Sequence, residues 1–365
     1  MSINPIDSPT NLSALDRVTA IPEDLLHTSH VRTVTGNSSN RIAALDFTKG
    51  MLVLFMVLYH WICYFHGPDD SILRYLRFLP PSFIFITGFL ISSAYLAKYD
   101  LTDPRLPKRL VSRGLKVLGI FVSLNVAITF LFLGFRNLNV DNLIAVFVTG
   151  NVFVSGVGKA AAFFILVPIS YLLFLSAVLL IACRFYKHTF YVVSALFLVA
   201  TFVLNANGFE SANLELVTIG LLGLIVGYTS IDKINSFVRR PYLLAAMYLC
   251  YTVAISLWEP NYALQIIGVC LTLMLIYLLG TSHAEPAGIP GRVILLGRYP
   301  LFGYIAQIAI LQVLRRAVPH FNLGVPWLAL TFVIGLALTL VVVIAVDRAR
   351  SKSLAVDRLY RSIFA

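Results

Sequence analysis

Ten apolar runs, each about 17 to 25 residues long, constrain this chain more than any other feature, because that is the length an α-helix needs to cross the hydrocarbon of a bilayer. They fall at roughly 45–66, 79–98, 113–135, 160–183, 188–206, 214–230, 241–258, 262–280, 299–317 and 325–346. Spanning strands would be half as long and would alternate in polarity, whereas these runs carry Leu, Ile, Val and Phe on every face. Of the 365 residues, 59% are hydrophobic and 12% are charged, against about 25% charged in a soluble domain. The expected fold is all-α: a polytopic membrane helical bundle of about ten transmembrane helices embedded in a lipid bilayer.

The charge pattern gives that bundle a direction. The chain carries a formal charge of +11, which in a soluble protein would suggest a nucleic-acid partner. Here the basic residues are scattered through short loops, so no nucleic acid is expected and the charge is read as topological. With ten crossings and the N-terminus inside, 22 of the 28 Lys and Arg residues fall on the inner side and six on the outer side. That excess matches the positive-inside rule and predicts that both termini are cytoplasmic, in a multi-pass protein of the cell membrane.

Residues 1–44 are polar and lack an apolar run, so they are read as a disordered cytoplasmic tail without a signal-peptide core. The sequons at Asn11 and Asn37 would then lie on the wrong side for glycosylation. Residues 45–346 form the transmembrane domain, and 347–365 a basic cytoplasmic tail. One moderately apolar stretch, 140–158, does not fit ten crossings and is read as a re-entrant hairpin or surface helix. It ends in SGVGKA, which lacks the upstream Gly and following Ser or Thr of a phosphate loop. Four scattered cysteines, without CxxC, indicate neither a zinc site nor a disulfide scaffold, and no metal is expected.

Chemistry concentrates in the first run, RIAALDFTKGMLVLFMVLYHWICYF, with Asp46 and Lys49 at its start and His60 in its far half. Eleven residues separate Lys49 from His60, which is about three turns, so the two project within roughly 20° of one another, about 16 Å apart. Asp46 falls within about 60° of the same direction. Two readings stand side by side. In one, Lys49 is a positive-inside anchor, Asp46 its i,i+3 partner and His60 an interfacial histidine. In the other, ionisable groups in a spanning segment face a polar path, because lipid is a costly neighbour for them.

The same stretch resembles the opening of the integral-membrane acyltransferase superfamily, which includes the acyltransferase type three sugar O-acylating enzymes, the heparan-alpha-glucosaminide N-acetyltransferases and the glucan-succinylating membrane proteins. Its pattern is Leu-Asp, two residues, Arg-Gly, then a His eleven residues after the Arg. Leu45, Asp46, Gly50 and His60 match, and Lys49 stands in place of the Arg. SFIFITGFLIS, with Thr87, Gly88 and Phe89, is similar to the Phe-rich second helix, and KRLVSRGLKVLG, with Arg109 and Arg113, to the basic approach to the third. LLGRYPLFGYIAQI, with Gly297, Arg298, Leu301 and Tyr304, resembles the late Gly-Arg segment, where Gln307 replaces the usual His.

This resemblance implies a donor acyl-CoA bound from the cytoplasm, its phosphates meeting Lys49, Arg109, Arg113 and Arg298. His60, with Asp46 and Lys49, would be catalytic, as general base or as the acylated nucleophile. An imidazole of ordinary pKa, about 6.5, is largely neutral near pH 7 and able to take a proton. The acyl group, acetyl or succinyl, would pass to a hydroxyl or amine of an extracytoplasmic carbohydrate or glycan. Gln307 and Tyr304 are candidate acceptor contacts, as is Glu215, which with Glu210, Glu259 and Asp141 falls on the outer side. His66 points about 100° away from Lys49 and is read as interfacial. From another class, a secondary transporter or flippase for a polar or lipid-linked substrate would use the same polar helix. Lys49 and Gln307 also fit a family member that has lost the reaction.

Overall fold

A computed structural model of the chain describes residues 38–67, 70–95, 103–128, 144–151, 163–186, 188–228, 231–259, 261–282, 288–317 and 325–364. The tail up to residue 37, both sequons, Asp141 and SGVGKA lie outside them. Among the described residues all regular structure is helical. The principal helices are α1 (Ser38–Trp61), α2 (Leu79–Leu90), α3 (Arg105–Ile128), α4 (Leu166–Ala182), α5 (Thr189–Ala206), α6 (Ala212–Tyr228), α7 (Pro241–Leu257), α8 (Tyr262–Ser282), α9 (Gly288–Arg298), α10 (Pro300–Ala317), α11 (Val325–Lys352) and α12 (Leu354–Phe364).

Among the described residues six stretches, Ala43–His66, Ser71–Ser93, Arg105–Ala127, Thr189–Ala206, Tyr262–Ser282 and Pro326–Lys352, are long and apolar enough to cross a membrane. The pair α9 and α10, bent by 96° at Tyr299, has the length and composition of a broken span or a re-entrant loop. Three shorter apolar helices, α4, α6 and α7, have 17 residues each. Helices suit this setting because they satisfy their backbone polar groups internally. Large apolar side chains also face outward in a way water would penalise: Leu196 is 62% exposed and Leu249 65%. Such faces belong against lipid.

Local sequence explains where the helices begin and end. α1 continues into a wider turn, Ile62–His66, which Gly67 closes with φ 96°. α2 carries Pro80 and Pro81 in its first turn, where their missing N–H groups cost nothing. The Asp103 carboxylate accepts from the Arg105 backbone N–H at 2.8 Å and caps α3. The described part of the 140–158 stretch is one turn, Ala145–Thr149, which ends at Gly150 with φ 74°. A single continuous spanning helix through 140–158 is therefore broken there. Asn213 at the start of α6 donates to the carbonyls of Val146 and Val148, and Tyr171 of α4 donates to that of Phe147, so the turn is pinned between two helices.

Two close crossings organise the bundle. α2 and α6 meet backbone to backbone: a methyl group on Gly88 would strike the carbonyl of Gly220, and one on Gly223 the carbonyl of Phe85. α1 and α9 cross the same way. A methyl on Gly50 would strike the Val293 carbonyl, and one on Gly297 the Asp46 carbonyl. Small residues at helix crossings allow this approach and the dispersion contacts it brings. The segment from 347 onward, expected as a tail, is helical, ending α11 and then forming α12.

Candidate active site

Asp46 and Lys49 form an i,i+3 ion pair on the first turns of α1, each side chain about one-sixth exposed. The crossing with α9 fixes their position, because Gly297 lies against the Asp46 backbone. Arg298 is exposed at the end of α9. The next residue, Tyr299, is buried and donates its hydroxyl to Asp347 at 2.6 Å. The Arg350 guanidinium lies 5.2 Å from the Tyr299 ring and 4.2 Å from that of Tyr360 on α12. The Asp46 backbone thus meets α9 at Gly297, and Tyr299, which follows Arg298, reaches α12 through Arg350 and Tyr360.

His60 lies at the other end of α1, among aromatic rings. Its centroid is 5.5 Å from that of Tyr59, 6.1 Å from Tyr64 and 5.9 Å from Tyr304. Its Nδ1 lies 3.1 Å from the Met56 carbonyl oxygen. A carbonyl only accepts, so this bond requires the proton on Nδ1 and leaves Nε2 with a lone pair. The Trp61 indole N–H donates to Thr331 Oγ1 at 2.8 Å and ties this end of α1 to α11. His60 therefore has an oriented ring and, as the neutral Nδ1–H tautomer, an unprotonated Nε2.

The sequence places Lys49 and His60 on one face of α1, and the helix bears out that register. The face between them is filled, however. Val53 is 0% exposed and Met56 2%, and Val53 packs with Leu296, Tyr299 and Val343. Among the described residues that stripe is occupied by packed apolar side chains.

Open volume lies on another side. A cavity of about 110 Å³ is bounded by α2, α3, α4 and α10, with Phe83, Val117, Ile169 and Leu301 among its walls. Arg113 and Lys116 of α3 stand at its edge, with Ile363 and Phe364 of α12. Tyr304, which is buried, lines it too and is the ring packed against His60. The cavity lining thus includes two cations and the tyrosine beside the imidazole. Phe83 and Phe163 hold that tyrosine, with ring centroids 6.3 Å and 5.9 Å away.

The expected residues divide accordingly. Arg113 and Tyr304 share the cavity, and His60 touches it through Tyr304. Gln307, one turn beyond Tyr304, is 0% exposed, and among the described residues neither its amide oxygen nor its amide nitrogen has a hydrogen-bond partner. Burying such a group unpaired costs about 1 to 3 kcal/mol, so it is suited to meeting a bound polar group. Arg109 is exposed one turn before Arg113. Glu215 belongs elsewhere: its Oε1 accepts from Asn205 Nδ2 at 2.6 Å and its backbone carbonyl from the Tyr262 hydroxyl at 3.1 Å, in a knot of α5, α6 and α8. His66 is exposed at the end of the wide turn. Comparison with known protein families, characterised proteins and solved structures found no match.

Sequence reasoning missed Lys116 and α12. Lys116 follows Arg113 by three residues on the same helix face, a signal as good as the four-residue spacing that singled out Arg109 and Arg113. The role of α12 had no such signal, because its inner face is made by contacts with distant helices.

Proposed function

We propose that the protein is an integral-membrane acyltransferase of the superfamily that its first, second, third and late motifs resemble. It carries an acyl group from acyl-CoA on the cytoplasmic side to a hydroxyl or amine of a carbohydrate or glycan on the far side of the cell membrane. All ten apolar segments cross in this reading, with the short helices α4, α6 and α7 among them, and both termini are cytoplasmic, which the distribution of Lys and Arg supports.

The observation that carries the reading is the cavity whose lining includes Arg113, Lys116 and Tyr304, the Tyr304 ring centroid lying 5.9 Å from that of His60. Converging cations suit the phosphates of the donor, with Arg109, Arg298 and Lys49 extending the basic end of the bundle and Asp46 orienting Lys49. Apolar walls suit the pantetheine arm and the acyl group. The acceptor O–H gives its proton to His60 Nε2 as its oxygen attacks the thioester carbonyl. The C–S bond then breaks, and the departing sulfur takes the proton back, leaving an ester and free coenzyme A. Gln307 offers a donor and an acceptor to the reacting groups, and Tyr304 packs the imidazole in place.

His60→Ala tests this directly in membrane vesicles supplied with radiolabelled acetyl-CoA and a glycan acceptor. Transfer should fall by about 100-fold to 10,000-fold, the contribution of a positioned base. Unchanged transfer would remove His60 from the reaction.

A second reading is favoured by the 96° elbow between α9 and α10 and by the short turn at Ala145–Thr149. Discontinuous helices of this kind form substrate sites in secondary transporters, so a transporter or flippase for a polar or lipid-linked substrate would use them as its path. Binding of labelled acetyl-CoA to the purified protein separates the two, since a transporter has no use for the donor.

A further inference from the structure

The end of the chain sits on the cavity. Ile363 and Phe364 of α12 line it beside Arg113 and Lys116, and the Lys116 ammonium donates to the Arg361 carbonyl at 3.3 Å. A single residue outside helical geometry, Ser353, separates α11 from α12. Its hydroxyl accepts from the Val356 N–H at 3.5 Å, so α12 starts as a separately capped helix on a short joint.

Few groups hold α12 down. Arg350 of α11 donates to Asp357 Oδ1 from Nε at 2.9 Å and from Nη2 at 2.6 Å, while Arg361 donates to Oδ2 at 2.8 Å. The guanidinium beside Asp357 holds its carboxyl below the ordinary carboxylate range. Tyr360 lies under Arg350 and stacks on Phe364 at 4.9 Å, and both rings meet Phe302 of α10. The remainder of the helix faces outward, Leu354 being 77% exposed and Leu359 61%. A short, mostly exposed element fastened by Asp357, by the Lys116 ammonium and by the rings of Tyr360 and Phe364 against Tyr299 and Phe302 belongs to the low-stability end of a structure, the part that opens locally.

We propose that α12 is a lid on the donor cavity, hinged at Ser353 and latched by Asp357 and Tyr360, so that the protein closes its own active site until the latch releases. The proposal rests on the reading of the cavity as the donor site. Lys116 links the two states. Its ammonium serves the Arg361 carbonyl when the lid is shut, and a phosphate at the cavity edge competes for the same three N–H donors. Donor binding and lid release are thus coupled through one cation, because a ligand shifts an equilibrium by its differential affinity for the two states.

Cysteine labelling tests this in full-length protein whose four native cysteines are replaced by serine. Leu301→Cys places a thiol on the cavity wall, and Ser351→Cys, made separately, places one on the exposed surface as a reference. With a water-soluble maleimide, labelling at 301 should be slow in the otherwise unaltered chain and about tenfold faster with Asp357→Asn or Tyr360→Ala, the change expected when the open fraction rises tenfold. Labelling at 351 should not change. Added acetyl-CoA should slow labelling at 301 in the Asp357→Asn protein. Faster labelling without that protection would keep the lid and discard the donor assignment. Equal labelling in latched and unlatched proteins of unchanged thermal stability would overturn the lid. Hydrogen exchange on the unaltered chain needs no variant: α12 amides should exchange together and ahead of α10, and protection equal to that of α10 would overturn the lid as well.

Discussion

Gln307 shows how a side chain can be stable in place and yet unfinished. It is wholly buried, and neither end of its amide meets a partner among the described residues. Gln307→Leu removes that amide at nearly constant volume, so unfolding in detergent should require equal or greater free energy, by up to about 1 to 3 kcal/mol. Acyl transfer by the same variant should fall at least about tenfold, the loss of one good hydrogen bond in the reacting complex. A stable variant with full activity would make Gln307 a packing residue. The residue was legible in sequence only as a departure from a pattern. The Asp46–Lys49 pair was legible outright, because i,i+3 spacing on a helix brings the groups together wherever the helix sits. The expected groove between Lys49 and His60 was not, since periodicity gives the direction of a side chain and not what lies opposite. Val53 and Met56 close that face because α9 and α10 press on it.

Among elements, the crossing of α1 and α9 sets the geometry of the basic end. Gly297→Ala would drive a methyl into the Asp46 carbonyl, with backbone on both sides and no flexible side chain to yield. Overpacking of this kind costs about 1 to 3 kcal/mol, and more where nothing can shift. The variant should melt several degrees lower in detergent and lose transfer activity in parallel, whereas Gly119→Ala on α3, where a methyl meets nothing within 4 Å, should melt as the parent does. Equal melting of both variants would mean that the crossing is looser than drawn. The long apolar helices were legible because each carries its own signal over about 18 residues. α9, α12 and the turn at Ala145–Thr149 were not, being short and mixed in polarity. A Gly at 150 with φ 74° ends that turn, and docking against Asn213 and Tyr171 keeps it in place.

At the scale of the molecule, apolar surface on α3, α5 and α11 is left uncovered by the described residues, which makes a bilayer the natural solvent. In the proposed orientation a reporter active only in the cytoplasm should work when fused after Ala365, and one active only outside should fail there. The opposite result would invert the proposed direction of transfer. Helical class and membrane setting were legible from composition and run length, whereas the cavity, assembled from α2, α3, α4, α10 and α12, had no trace in any single segment. The seam of α2 and α6 adds a constraint of another kind. Where Gly88, Gly220 and Gly223 bring peptide groups into direct touch, no rotamer exists that might swing aside, and no acyl tail can wedge between the two rods. They travel as a single strut, and whatever breathing accompanies turnover has to be found in the helices that lean on it.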